Sequence, residues 1–280
     1  MQKIAIITDS GSDLSSDLLK EHNIFSLPFR IIYSDNEYED GVSITPYELY
    51  DSLEKEIPTT SLPCMKKIES ILTNLEEEGY THVIAIHISS ALSGTSNSVR
   101  LALEDHPNLT SYVYDSKTLS MAQGSIVLSA SKLVKEGKTF EEIISLLPTY
   151  RKSVHTYFTL NTLEYLKKGG RIGRVAGTIG ELLNLKPIVF VGDDGIYQTY
   201  AKARGRKQSI NKLKEIVEGY LSKNKCNIWI IEGNAIEESN AILNALKTNE
   251  NINEISTATV GPALGVHTGP GLLGFIIEEL

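Results

Sequence analysis

The chain has 280 residues, 27 basic and 35 acidic, and a formal net charge of −8 at pH 7. That acidity argues against nucleic acid or an anionic membrane as the main partner, and 41% hydrophobic with 22% charged residues is the mixture of a soluble globular protein. The length allows one large domain or two modest ones and is ample for a sizeable core.

Residues 4–8 read as a short buried strand and 14–22 as a helix, with Asp13 as its N-cap. Residues 25–33 are strand-like. Thr45-Pro46-Tyr47-Glu48 has capping-box spacing with proline at the first helical position, so a helix begins there. "PTTSLPC" (58–64) reads as a loop, and 65–78 as a helix ended by Gly79. Residues 82–88 ("HVIAIHI") form a second buried strand, which runs into "SSALSG" and a helix starting near Thr95. A short strand at 111–114 precedes a long helix at 120–136, closed by Gly137. Thr139 and Glu142 give a second capping box, for a helix toward Arg151. Strands alternating with helices at these lengths imply parallel βαβ units. Residues 1–152 are therefore expected to form a Rossmann-like, doubly wound α/β lobe.

The pattern then changes. A strand at 155–159 and a short helix at 162–168 lead into "KKGGRIGR" (167–174), a glycine-rich basic loop, with a helix from about Val175. Residues 186–191 and 196–202 flank "GDDG", a hairpin signal. A helix at 206–223, a strand at 225–232 and a helix at 237–248 follow. Hairpins mixed with helices make 153–280 an expected α+β lobe, packed closely on the first with a cleft between them. The C-terminal segment is expected to return to that cleft, with 272–277 reinserted into a sheet.

The two cysteines, Cys64 and Cys226, have no metal-ligand spacing, so a reducing cytoplasm is the simpler setting. The short apolar run at 4–8 is below signal-peptide length, and no apolar stretch reaches the roughly 18 residues of a membrane span.

Ligands of open parallel sheets sit at the carboxyl ends of the strands. The loops there are "TDSGSD" (8–13), "SSALSGTSN" (89–97) and "YDSKT" (114–118), all rich in hydroxyls and carboxylates. Each residue has a plainer reading as a helix cap. In "SSALSGT", Ser93 and Thr95 flank Gly94 where a helix opens, a natural place for a carboxylate or phosphate. Thr60 and Ser61 add hydroxyls before another helix. "GPGLLG" (269–274) formally satisfies G-x-G-x-x-G but lacks the βαβ unit that motif needs. No P-loop, no H-E-x-x-H and no carboxylate-rich metal loop is present, so no metal site is assigned. Ser93, His267 and Asp9 or Asp115 have the residue types of a hydrolase triad, but there is no G-x-S-x-G elbow. His267 lies among glycines beside Thr268, in a stretch too small-residue-rich for core and suited to close backbone approach. The other five histidines have ordinary surface or strand contexts. "KKGGRIGR" and "KARGRK" (202–207) gather positive charge, either as a solvated face or as a basic rim for an acidic partner.

Taken in order, "IAIITDSGSDLS", "TSLPC", "SSALSGTSNS", "YDSKTLSMAQG", "YLKKGGRIGR", "KARGRKQS" and "GPALGVHTGPGLLG" span nearly the whole chain. In this it resembles the DegV family of bacterial fatty-acid-binding proteins, the acyl-carrying subunit of fatty acid kinase. The resemblance implies a two-lobed DegV-like fold with one long-chain fatty acid in an apolar tunnel between the lobes. By motif, Thr60, Ser61, Ser93, Gly94, Thr95, His267 and Thr268 would meet its carboxylate. Arg171, Arg174 and Arg204 would stand at the cleft mouth or dock a partner. The chain departs from the family pattern at Leu62, where a polar residue is usual, and at Cys64, where serine is usual. The resemblance further implies no catalytic residue and no cofactor of its own. ATP and Mg²⁺ would belong to the kinase subunit, and the acyl phosphate would pass to an acyltransferase or membrane surface for phospholipid synthesis. Two rival readings are a serine-type lipid hydrolase or thioesterase built on Ser93 and His267, and a passive lipid sensor or storage protein.

Overall fold

The structure, a computed structural model, describes residues 2–178 and 185–280. Strand β1 (Ile4–Asp9) is buried at all six positions, as an apolar run covered on two faces must be. A 3₁₀ turn (Ser10–Ser12) follows, and Asp13 ends it in the left-handed conformation at φ 52°. Helix α1 (Ser16–Glu21) is capped instead by Ser15, whose hydroxyl accepts from Leu18 N–H. Asp13 is thus not the N-cap expected of it.

The single strand expected over 25–33 is two. β2 (Ile24–Leu27) pairs parallel with β1. Pro28, with no N–H to give, stops the ladder. β3 (Arg30–Ile32) then joins a separate antiparallel sheet with β4 (Glu37–Glu39) and, across α2 (Pro46–Ser52), with β5 (Thr59–Ser61). The stretch expected as a loop is therefore partly strand, with Arg30 opposite Ser61 and Ile31 opposite Thr60. α3 (Met65–Glu77), β6 (His82–His87), α4 (Thr95–Glu104), β7 (Thr110–Asp115), α5 (Ser120–Lys135) and α6 (Phe140–Ser153) come next. They complete a four-stranded, all-parallel sheet of order β2-β1-β6-β7.

β8 (Val154–Thr159), α7 (Glu164–Lys168), β9 (Ile188–Val191), β10 (Tyr197–Ala201), α8 (Gly205–Leu221), β11 (Cys226–Gly233), α9 (Ile236–Leu246), β12 (Ile252–Thr259), α10 (Pro262–Thr268) and β13 (Leu272–Glu279) follow. Their six strands form one mixed sheet of order β10-β9-β8-β13-β11-β12. The expected hairpin is β9–β10, antiparallel. Where a helix is expected from about Val175 there is a 3₁₀ turn over Gly173–Thr178, and the next residues of that expected helix lie outside the described residues. β12 had no counterpart in the sequence reading. It is an edge strand, and four of its eight residues are exposed.

The elements stack in alternating layers. α3 and α4 cover one face of the parallel sheet, α5 and α6 lie between the two sheets, and α8 and α9 cover the far face of the mixed sheet. One apolar cluster runs through the middle, from Ile6 and Ile84 through Ile126 and Val127 to Phe158 and Ile276. α10 touches α2, α7, β3, β5 and the turn after β1, so it bridges the small sheet and the larger body. Among the described residues no helix is long and apolar enough to cross a membrane.

β13 lies between β8 and β11, antiparallel to both, and its Phe275 has no exposed surface. Phe275→Ala is expected to cost about 3–5 kcal/mol, the range for emptying a buried aromatic site. Urea unfolding checks this as a lower midpoint at unchanged slope.

Candidate functional site

The site is organised by α10. Gly261 is its N-cap and Pro262 fills the first helical position, where a missing N–H costs nothing. Two carboxyl groups from distant segments hold its start. Gly261 N–H donates to Asp13 Oδ1 at 2.9 Å, and Ala263 N–H donates to Asp40 Oδ1 at 3.2 Å. Burial pushes Asp13 up to about 7 and Asp40 up to about 6, against the opposing pull of those hydrogen bonds.

His267 sits in the last turn of α10. It is therefore helical and largely enclosed, not in a loop. Its Nε2 lies 2.7 Å from Thr60 Oγ1 on β5. Its Nδ1 is buried with no partner among the described residues. An orphaned acceptor is cheaper to bury than an orphaned N–H, so the proton belongs on Nε2 and His267 donates to Thr60. Burial first, and the Arg171 charge second, hold His267 down at about 4, so the ring is neutral at pH 7. Gly169 makes this placement possible: a Cβ there would stand 2.0 Å from Nδ1.

Arg171 follows α7. Its Nε donates to Leu92 O at 3.2 Å and its Nη1 to Gly169 O at 2.7 Å. Among the described residues it has no carboxylate partner. On the opposite loop, Ser93 Oγ is 2.8 Å from Thr95 Oγ1 at the start of α4.

These groups converge on one cavity of about 210 Å³. Thr60, Ser61, Ser93, Arg171 and His267 supply its polar wall, and Phe29, Leu62, Ile88, Leu92, Tyr197, Ala263 and Leu264 the rest. Tyr197 and Leu264 also line a second pocket of about 20 Å³, whose walls include Phe158, Ile231, Val260 and Leu272. The apolar lining thus continues inward. Thr60, Arg171 and His267 also line an outer groove of about 750 Å³. These three side chains line both, and so form the partition between cavity and groove.

Other residues singled out from the sequence lie elsewhere. Thr268 donates to Leu264 O at 3.1 Å and lines the inner pocket, so it is not among the polar groups around His267. Thr95 is buried and backs Ser93 without lining the cavity, and Gly94 is the N-cap of α4 beside Leu62. Arg174 is exposed and paired with Asp194 at 2.6 Å, and Arg204 is the exposed N-cap of α8. Neither lines the cavity or the groove. Leu62 gives the cavity an apolar wall, and Cys64 caps α3 with no side-chain hydrogen bond.

The hydrolase triad is not assembled. Asp9 lies 2.9 Å from His87, Asp115 accepts from Ser90 and Lys117 N–H, and neither touches His267. His87 is thus not an ordinary strand histidine but half of a fully buried pair. Sequence reasoning also missed Arg30, whose Nη2 donates to Ser61 Oγ at 2.8 Å and whose Nε donates to Leu62 O at 3.0 Å. Only the β3–β5 register reveals it. Asp13 and Asp40 carried no signal for α10, which lies more than two hundred residues away.

Imidazole NMR checks the His267 assignment. Its ordinary pKa is 6.5. Because the folded value is lowered, the unfolded chain takes the proton first, and His267 costs stability as pH falls from about 6.5 toward 4. Asp13 and Asp40, raised by burial, act in the opposite sense, so the ring must be read by itself. We expect it to stay neutral from pH 8 to pH 5. In Gly169→Ala, which forces the ring off Thr60, its titration should return toward the ordinary value.

Comparison with known proteins matches this geometry to a family. The family model described as "Uncharacterised protein, DegV family" matches residues 3–280. A DegV domain-containing protein of Clostridium perfringens is 50% identical over 279 residues, covering 100% of this chain and 99% of that protein. The solved structure of a DegV family protein from Thermus thermophilus, described by its fatty acid binding, is 30% identical with a TM-score of 0.92 over 100% of both chains. A stearic acid-binding protein from Eubacterium ventriosum is 28% identical with a TM-score of 0.89, covering 100% of this chain and 98% of that one. The mixed α/β architecture, with its parallel four-stranded sheet and separate mixed sheet, is that of the DegV fatty-acid-binding structures, and the chain belongs to the DegV family.

Proposed function

We propose that this protein binds a long-chain fatty acid, with the tail in the apolar cavity and the carboxylate against Thr60, Ser61, Ser93, Arg171 and His267. The observation that carries this reading is the convergence of three hydroxyls, a guanidinium without an acidic partner among the described residues and a neutral imidazole on one otherwise apolar cavity. A carboxylate out of water is costly unless several donors meet it, and charge-assisted bonds are the strong ones. The tail adds about 0.8 kcal/mol for each buried CH₂. The fatty acids bound by the Thermus and Eubacterium proteins support the same ligand class.

The partition supports a finer reading. Thr60, Arg171 and His267 face the interior cavity and the outer groove together. A head group held there is within reach of a second protein while its tail stays inside. In this reading the chain is a carrier without catalytic residues. It presents the carboxylate to a separate fatty acid kinase subunit that brings ATP and Mg²⁺. A carboxylate oxygen attacks the γ-phosphorus, ADP leaves, and the acyl phosphate goes on to an acyltransferase or membrane surface for phospholipid synthesis. Phosphoryl transfer depends on positioning and charge stabilisation, which Arg171 and the hydroxyls provide on the acyl side. The hydrolase reading lacks support, because among the described residues no carboxylate orients His267 and the partner of Ser93 is Thr95.

Native mass spectrometry of the purified protein, followed by extraction of what it carries, tests the binding. One fatty acid per chain is expected, and His267→Ala should lose most of it. An empty protein that also refuses oleate and palmitate would overturn the reading. The kinase step is tested with a cognate kinase subunit and ATP: acyl phosphate should form with the wild type, and its absence would leave a passive sensor or storage protein.

A further inference from the structure

We infer that Arg30, which does not line the cavity, is a positioning residue that turns Ser61 into a dedicated donor for an anionic head group. The inference rests on the fatty-acid reading above. Arg30 is on β3 directly opposite Ser61 on β5, and the antiparallel register fixes the pair. Its Nη2 donates to Ser61 Oγ at 2.8 Å, and its Nε donates to Leu62 O at 3.0 Å, so the guanidinium is anchored on the residues that follow Thr60. Glu37 pairs with the remaining nitrogen, Nη1, at 3.2 Å and keeps the fork in place from the outside.

The chemistry follows from the donor count. A guanidinium has only donors, and a hydroxyl has one donor and two acceptor sites. With a cation occupying an acceptor site, Ser61 Oγ points its own hydrogen away from Arg30, and Ser61 lines the cavity. A hydroxyl that accepts from a cation is also a stronger donor, because hydrogen bonds in a chain polarise one another. Thr60 is backed in the same way by His267, while Ser93 and Thr95 form a hydroxyl pair in which either can donate. Thr60 and Ser61 thus each have an acceptor site occupied by a neighbouring donor, which leaves both protons to offer. Of these two donors Arg30 alone is charged, since His267 is neutral. Arg30 should therefore matter for a carboxylate and hardly at all for an uncharged head of the same length.

The test compares oleate with oleyl alcohol on full-length protein. Arg30→Met is expected to weaken oleate about tenfold, the loss of one charge-assisted bond, and to leave oleyl alcohol within about twofold. In a Ser61→Ala background the same change should have no further effect on oleate, and Arg30→Lys should restore most of the preference for the acid. Equal weakening of acid and alcohol, an undiminished effect in Ser61→Ala, or unchanged oleate binding would each overturn the inference. If Arg30→Met loses its thermal transition, Arg30→Gln retains a neutral donor and reads the same acid-to-alcohol ratio. A wild type that takes neither ligand would instead bring down the fatty-acid reading, and this inference with it.

Discussion

The contact on which the site depends is the 2.7 Å hydrogen bond between His267 Nε2 and Thr60 Oγ1. It joins the small antiparallel sheet to a seven-residue helix near the C-terminus, across 207 positions of sequence. A helix that short has no stability of its own. It is held at its start by Asp13 and Asp40, at its end by the fit of His267 over Gly169, and beyond it by β13 in the centre of the mixed sheet. Those supports come from separate parts of the chain. The geometry of the polar wall is therefore a property of the whole fold.

This explains what could and could not be read from the sequence. Local signals held where the physics is local. The Thr45–Glu48 and Thr139–Glu142 capping boxes form with both halves of each present. The apolar runs of β1 and β6 are central parallel strands. The motifs around Thr60, Ser61, Ser93, Arg171 and His267 do meet at one cavity. Failures came where a short-range rule was overruled by a distant partner. "TTS" looks like loop because it is short and polar, yet β3 lies alongside to pair with it. Asp13 looks like a cap for the next helix, yet it accepts from Gly261 N–H at the start of α10 instead. β12 has no clear alternation because it is a half-exposed edge. Thr268 follows His267 in sequence, but a helix turns successive side chains about 100° apart. His267 thus meets Thr60 while Thr268 faces the inner pocket.

The same reasoning separates what retains a ligand from what recognises it. Burial of apolar surface is non-directional, so the walls built from Phe29, Ile88, Leu92 and Leu264 favour any tail of suitable size. Discrimination must come from the head. A neutral His267 donates its one ring proton to Thr60 and so frees that hydroxyl's own proton without adding a charge, and among the described residues Arg171 contributes a charge whose other bonds go to carbonyls. Among the described residues no carboxylate pairs with that charge, and Asp13 and Asp40 are bonded to the start of α10, and Asp9 to His87. On the proposed function an incoming anion would complete the set without displacing an ion pair among the described residues. It does so at the partition, where Thr60, Arg171 and His267 also face the groove outside. In the proposed function, recognition of the acid and its exposure to a partner would fall to the same three side chains. On that proposal a stronger grip would also bury the head more deeply, so affinity for a tail lodged among Phe29, Ile88, Leu92 and Leu264 is the term free to vary without closing the site.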